Sequence, residues 1–251
     1  MSFPYITLSF HGDTFELLRK PPKRGHPVIY PLKRRASIKD VIESMGVPHS
    51  EVGAIICNQQ EQTFHFIPES GEHLQIHPIT PDTSPLKATT LRPLPLPRYW
   101  FMVDINVNRI AGLLRMAGFN TLSAPRVNSV ELVQKNRDEQ RILLSRNREL
   151  LKHTGVLHGR LLRSQQPYEQ LAEIINLYQL HSLIRPFNRC IRCNGKLYKV
   201  PKEKIIDKLL PLTKKYYSSF KRCSGCRQVY WRGSHYSHMV KKIEQLTIRA
   251  D

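Results

Sequence analysis

Two cysteine pairs, Cys190-Ile191-Arg192-Cys193 and Cys223-Ser224-Gly225-Cys226, constrain this chain more than any other feature. Two thiols separated by two residues on a tight turn converge on one point, and two such turns supply the ligands of a tetrahedral centre. In a reducing compartment that spacing favours metal over disulfides. A redox dithiol would open a helix in a βαβ unit, and neither pair does. Four protein ligands close the site, so the metal expected is structural zinc. The 29 residues between Cys193 and Cys223 exceed the roughly 15–20 usual for such ribbons. Gly195 and Gly225, however, stand where knuckle turns call for permissive backbone.

The charge is uneven in the same sense. Residues 1–80 carry 8 basic and 8 acidic side chains, residues 81–184 carry 14 and 8, and residues 185–251 carry 17 and 4, which accounts for the net +19. A segment with an excess of 13 positive charges in 67 residues invites a polyanion, because neutralising phosphates releases condensed counterions. Arg192, Lys221, Arg222, Arg227 and Arg232 lie around the cysteines, interleaved with Tyr198, Tyr230 and Trp231. Cations beside aromatic faces suit single-stranded or looped RNA, whose bases can stack. Trp231 reads equally well as core covering the knuckles. No apolar run approaches the roughly 20 residues of a membrane span, and the first residues lack a signal-peptide layout. The protein is expected to be soluble and cytoplasmic, with no membrane partner.

Prolines at 81, 85, 93, 95 and 97 fix φ and remove donors, so Pro81–Pro97 is expected to be an extended linker between domains. Before it, Tyr5–Phe10 and His26–Leu32 alternate as strands. Ser37 opens a helix carrying Val41, Ile42 and Met45 on one face, and Val52–Cys57 and Leu74–Ile79 read as further strands. Cys57, in an apolar strand, reads as a core thiol. The helix Ser37-Ile38-Lys39-Asp40-Val41-Ile42 and the strand Glu72-His73-Leu74-Gln75-Ile76-His77-Pro78 resemble the ubiquitin-like β-grasp of sulfur carriers. Those carriers need a free Gly-Gly end. Here the chain continues through Pro81, so carrier chemistry is not expected.

After the linker, apolar Tyr99–Val103 ends at Asp104, and Val107–Ala117 has helical periodicity with Gly118 as its stop. Phe119–Leu122, a helix over Glu131–Arg137, the apolar strand Ile142–Leu144 and a helical turn over Glu149–Lys152 follow. Strands alternating with helices imply a parallel sheet. Asp104 and Asn147 are then expected at its carboxyl-terminal edge, where such sheets carry their chemistry.

Together these segments resemble the Mut-seven-C RNase family. The resemblance rests on the strand ending in Asp104, the helix with Leu114-Arg115 before Gly118, the strand ending in Ser145-Arg146-Asn147, and the stretches RCIRCNG and CSGCRQVYWRGSHY. It implies a ubiquitin-like domain over 1–80, a linker over 81–97, a PIN-like nuclease domain over 98–184, and a basic zinc ribbon with its tail over 185–251. It also implies RNA, structured or ribosomal RNA included, as partner. PIN-type nucleases need clustered carboxylates to hold Mg²⁺ or Mn²⁺, a hard cation that activates water beside the scissile phosphate. Asp104 matches the family's first acidic position. At the other three the chain has Asn120, Ser129 and Asn147. An amide offers an oxygen but no charge.

The resemblance therefore leads to an RNA-binding protein on a PIN-like scaffold whose metal centre is degenerate. An active Mg/Mn-dependent endoribonuclease is the alternative, with Asp104, Glu131 and Glu149 as its acids. A third reading is an adaptor whose β-grasp domain docks a protein partner while the ribbon recruits RNA. Arg146 and Arg148 flank Asn147, Arg115 lies on the first helix, and all three add phosphate-binding candidates.

Overall fold

Alternation decides the first sheet. Ile6, Leu8 and Phe10 are buried at every second position of strand β1 (Tyr5–Phe10), while Tyr5, Thr7 and Ser9 face outward. The computed structural model describes residues 4–123 and 127–248. Among these, the chain divides into two compact units, one of residues Met1–Tyr99 and Arg126–Leu161, the other of Trp100–Pro125 and Leu162–Asp251.

In the first unit, helix α1 (Asp13–Glu16) follows β1, and β2 (Val28–Pro31), β3 (Val52–Cys57), β4 (Gln60–Glu61) and β5 (His73–Pro78) complete a sheet of order β2-β1-β5-β3-β4. The central β1–β5 pair is parallel, and the other pairs are antiparallel. Helix α2 (Ile38–Ser44) buries Ile38, Val41 and Ile42, and Ser37 caps it by accepting the Asp40 N–H at 3.2 Å. Two opening strands, a helix and returning strands make the ubiquitin-like β-grasp expected from the sequence. Gly53 sits at a bulge where a Cβ would lie 2.3 Å from the Pro78 carbonyl oxygen, so no other residue fits.

The same unit contains α4 (Ser129–Asp138), β8 (Ile142–Ser145), α5 (Arg148–Leu151) and β9 (Gly159–Leu161), with β8 and β9 parallel. All four residues of β8 are buried. Buried charge ties this part to the β-grasp. Glu51, fully buried, accepts Arg160 Nη1 at 2.8 Å and the Leu161 N–H at 2.6 Å, and Arg160 Nη2 reaches Asp13 at 3.0 Å. The proline-rich stretch holds no helix or strand, as its prolines require. It is not a free spacer, however. Leu91 and Leu96 are buried, and buried Arg92 donates to the carbonyls of His49, Ser50, Val52 and Leu157. Alternation cannot reveal this, because the anchor is an arginine binding carbonyls.

In the second unit, β6 (Phe101–Val103) and β7 (Thr121–Ser123) are parallel, as expected of α/β connections. A 3-10 turn, Ile105–Val107, precedes α3 (Arg109–Ala117), so the helix starts two residues later than the periodicity implies. Gly118 ends α3 at φ 105, and a Cβ there would lie 2.4 Å from the Arg185 carbonyl oxygen. Helix α6 (Pro167–Leu177) packs on α3. The cysteine region forms an antiparallel sheet of β10 (Leu197–Val200), β11 (Phe220–Cys223) and β12 (Val229–Trp231), with α7 (Pro211–Tyr216) before β11 and α8 (Ser234–Ile248) after β12. Among the described residues, no helix is long and apolar enough to cross a membrane.

Removing one partner of a buried ion pair leaves the other charge uncompensated, at a cost of roughly 3–5 kcal/mol. Glu51→Ala should therefore lower unfolding free energy by about that amount in denaturant titrations. Asp13→Ala, whose carboxylate is 42% exposed, should cost less than about 1 kcal/mol. Burial, then the positive field of Arg92, pulls buried His158 down to about 4. The unfolded chain protonates His158 below about 6.5 and the folded chain does not, so this stability is present above pH ~6.5 and is lost as pH falls towards 4. Wild-type protein should lose more stability between pH 7 and pH 4.5 than His158→Gln, as read by unfolding midpoints.

Candidate functional site

The four cysteine sulfurs lie within 4.8 Å of one another, with Cys193–Cys223 at 3.3 Å and Cys190–Cys226 at 3.5 Å. A tetrahedron of Zn–S bonds near 2.3 Å places its sulfurs about 3.8 Å apart. The donor set thus fits a four-thiolate metal. Both knuckles turn at the residue after their second cysteine, Asn194 at φ 68 and Arg227 at φ 62. The glycines serve differently from expectation. Neither has a left-handed φ, but a Cβ on Gly195 would lie 2.7 Å from the Cys223 sulfur, and one on Gly225 would lie 3.5 Å from the Cys193 sulfur. Gly195 thus lets backbone approach sulfur. Burial opposes ionisation of Cys193, but the Gly195 N–H and the neighbouring thiols outweigh it and draw that thiol down to about 6. The Tyr230 hydroxyl sits 3.0 Å from the Cys190 sulfur.

Two residues dock this centre on α3 and β7. Buried Arg115 donates to the Thr121 carbonyl at 2.8 Å, to Ser123 Oγ at 2.9 Å, and to the carbonyls of Ile191 and Arg192 at 3.0 Å each. Burial lowers its pKa, an effect opposed by the sulfurs of Cys193 and Cys190. Arg115 was expected to face RNA, and that expectation is corrected: its guanidinium is committed to the interior. Asn194 accepts the Thr121 N–H at 3.1 Å and donates to Asn120 Oδ1 at 2.7 Å. The sequence marks Asn194 only as part of a knuckle. Its docking role depends on a strand 73 residues away.

At the positions where nuclease carboxylates were expected, Asp104 is buried and accepts from Asn106 at 3.1 Å. Asn120 receives the Asn194 amide. Ser129 is exposed in the first turn of α4, and the cap is its neighbour Asn128, which accepts the Glu131 N–H at 2.9 Å. Asn147 caps α5, its Oδ1 accepting the N–H groups of Glu149 at 3.0 Å and Leu150 at 3.3 Å. Glu131 is exposed. Glu149 is exposed as well, bridged to Lys152 at 2.9 Å and Arg19 at 3.1 Å, and the Lys152 bond is the main reason its carboxyl is held below the ordinary range.

The remaining candidates divide by exposure. Arg146, Arg192, Arg227 and Arg232 are exposed, with Arg192 bonded to Gln228 at 2.9 Å and Arg232 over the Tyr236 ring at 5.9 Å. Arg222 is half-buried. Arg148 donates to the Leu17 carbonyl at 2.8 Å. Lys221 donates to the Phe187 carbonyl at 2.6 Å and lies over that ring, and burial lowers its pKa. Trp231 packs half-buried against Phe220 and Tyr217. Cys57 is buried, and that burial, with Glu72 beside it, pushes its thiol up to about 11, as befits a core residue.

Two family models match the chain: the Mut7-C RNAse domain over residues 99–243 and the Mut7-C ubiquitin domain over residues 3–83. No curated protein and no solved structure matches it.

Replacing an N-cap asparagine by alanine costs about 1 kcal/mol, whereas aspartate caps as well as asparagine. Asn147→Ala should lower stability by about that much, and Asn147→Asp should leave it nearly unchanged, as measured by chemical denaturation.

Proposed function

Given that the chain belongs to the Mut7-C RNAse family, we propose that it is an RNA-binding protein whose nuclease metal centre is degenerate. The observation that carries this reading is the state of the four carboxylate positions. Only Asp104 keeps its charge, while the side-chain oxygens of Asn120 and Asn147 are engaged by Asn194 and by the start of α5. A divalent cation among phosphates needs several converging anionic oxygens. Both engaged oxygens act as acceptors, a part that carboxylates would also play, so these bonds would survive restored charge. The domain assignment that accompanies this reading is a β-grasp over 1–80, a connecting segment over 81–97, a PIN-like domain over 98–184 and a zinc ribbon with its tail over 185–251. The ribbon's four thiolates would hold zinc, whose binding free energy is folding free energy in such modules. The β-grasp domain would serve a protein partner.

Affinity comes from the basic C-terminal third, through Arg222, Arg227 and Arg232 and their neighbours. A second reading, a Mg/Mn-dependent endoribonuclease using Asp104 with Glu131 or Glu149, is favoured by the extent of the RNAse-domain match. The bridging of Glu149 by two cations weakens it.

Single-turnover incubation of labelled RNA with Mn²⁺ distinguishes the two. No cleavage is expected from wild-type protein, and metal-dependent cleavage abolished by Asp104→Ala would establish the nuclease. The triple variant Asn120→Asp, Ser129→Asp, Asn147→Asp should gain a titratable Mn²⁺ site. Elemental analysis should find close to one zinc per chain. Substituting Arg222, Arg227 and Arg232 by Gln should flatten the dependence of log affinity on log salt by up to about 2 for single-stranded RNA, at roughly 0.7 per lost phosphate contact.

A further inference from the structure

We propose that a cavity in the cysteine ribbon holds one unstacked base of the bound RNA, an inference that rests on the RNA-binding reading above. The cavity has a volume of about 430 Å³ and takes its walls from Phe187, Tyr217, Tyr230, Trp231, Tyr236 and Met239. That volume is within the range of small-molecule sites, roughly 300–1,000 Å³. Five aromatic rings line this one hollow. The ribbon has two small cores: one of Val200, Ile205, Leu209, Phe220 and Val229, against which Tyr217 and Trp231 pack, and one around Phe187 and Cys190, against which Tyr230 and Tyr236 pack. The cavity draws on both. The ring pairs Tyr217–Trp231 and Phe187–Tyr236 are tilted at 48° and 58° and are not stacked on one another. A flat aromatic guest can add offset-stacked or edge-to-face contacts to such rings.

The hollow is also kept open beside Trp231. A Cβ on Gly233 would lie 2.9 Å from the indole nitrogen and 3.4 Å from the Tyr217 hydroxyl, so any side chain there would press into the space next to the ring. Thr213 and Ser234, which carry hydroxyls of the kind that bond a base edge, are among the lining residues.

Charge selects the guest. Among the described residues no acidic one lines the cavity, and Arg189 does. Lys221 lies 4.8 Å from the Phe187 ring centroid and Arg232 lies 5.9 Å from that of Tyr236. Cations held against the rings of an apolar hollow match a ligand with a flat neutral base and an anionic backbone. An anionic backbone would add to the carbonyl partners that Lys221 and Arg189 already have in Phe187 and Asn194, which a neutral apolar peptide would not do. Duplex RNA keeps its bases stacked inside, so the strand must be single or looped.

The test uses the full chain with zinc bound and a single-stranded RNA of about 10 nucleotides, within the site sizes of single-strand binders. It is compared with the same strand carrying abasic residues throughout, which keeps every phosphate. The intact strand should bind roughly 5- to 150-fold more tightly, as ~1–3 kcal/mol of stacking per base implies, with the same salt slope. Trp231→Leu should weaken the intact strand by a similar factor and the abasic strand by much less, since coupled losses mark a direct contact. Zinc content and thermal unfolding of the variant check its fold. A 2-aminopurine in the intact strand, read with wild-type protein, should change its fluorescence on binding and give a result independent of any variant. Equal affinity for both strands, or equal losses for both in Trp231→Leu, overturns the pocket while leaving RNA binding intact. Absence of binding to either strand overturns the RNA-binding reading and the pocket with it.

Discussion

The second unit depends on one buried guanidinium. Arg115 enters the interior from α3 and donates to acceptors on β7 and to two carbonyls of the first cysteine knuckle. A buried charge is tolerated only when its donors are matched, so these elements must hold their places together. Asn194 works in the same joint from the opposite side, its amide bridging Thr121 and Asn120. The cysteine centre is therefore built into the α/β scaffold, and the position of Asn120 is fixed by the ribbon.

The first unit uses the same device twice. Arg160 is held by Glu51 and Asp13, and Arg92 by four carbonyls, so charge and hydrogen bonding tie the β-grasp to the β8–β9 pair where apolar packing alone would allow sliding. The directionality of these bonds specifies register, and their cost if broken makes the arrangement all-or-none.

The neutral residues proposed to stand at nuclease positions have local structural uses. Asn147 caps a helix, Asn128 caps the one that begins at Ser129, and Asn120 anchors the ribbon. Helix caps and short anchors are satisfied by amide or carboxylate alike. These local bonds are thus indifferent to whether an amide or a carboxylate oxygen accepts them.

The sequence alone determined those features whose physics is local. Alternating residues set β1 and β2, Ser37 set the start of α2, the doubled cysteine spacing set a metal-type cluster, and the charge count placed the positive excess in the last third. Only the tertiary structure decided what depends on distant partners: that Arg115 serves the interior and not a ligand, that Arg92 makes a proline-rich stretch part of a core, that Asn194 docks a ribbon, and that five scattered aromatic residues enclose one cavity. A guanidinium looks the same in sequence whether it faces phosphate or carbonyl. Its role is fixed by which acceptors the folded chain brings within about 3 Å, and no local pattern encodes that.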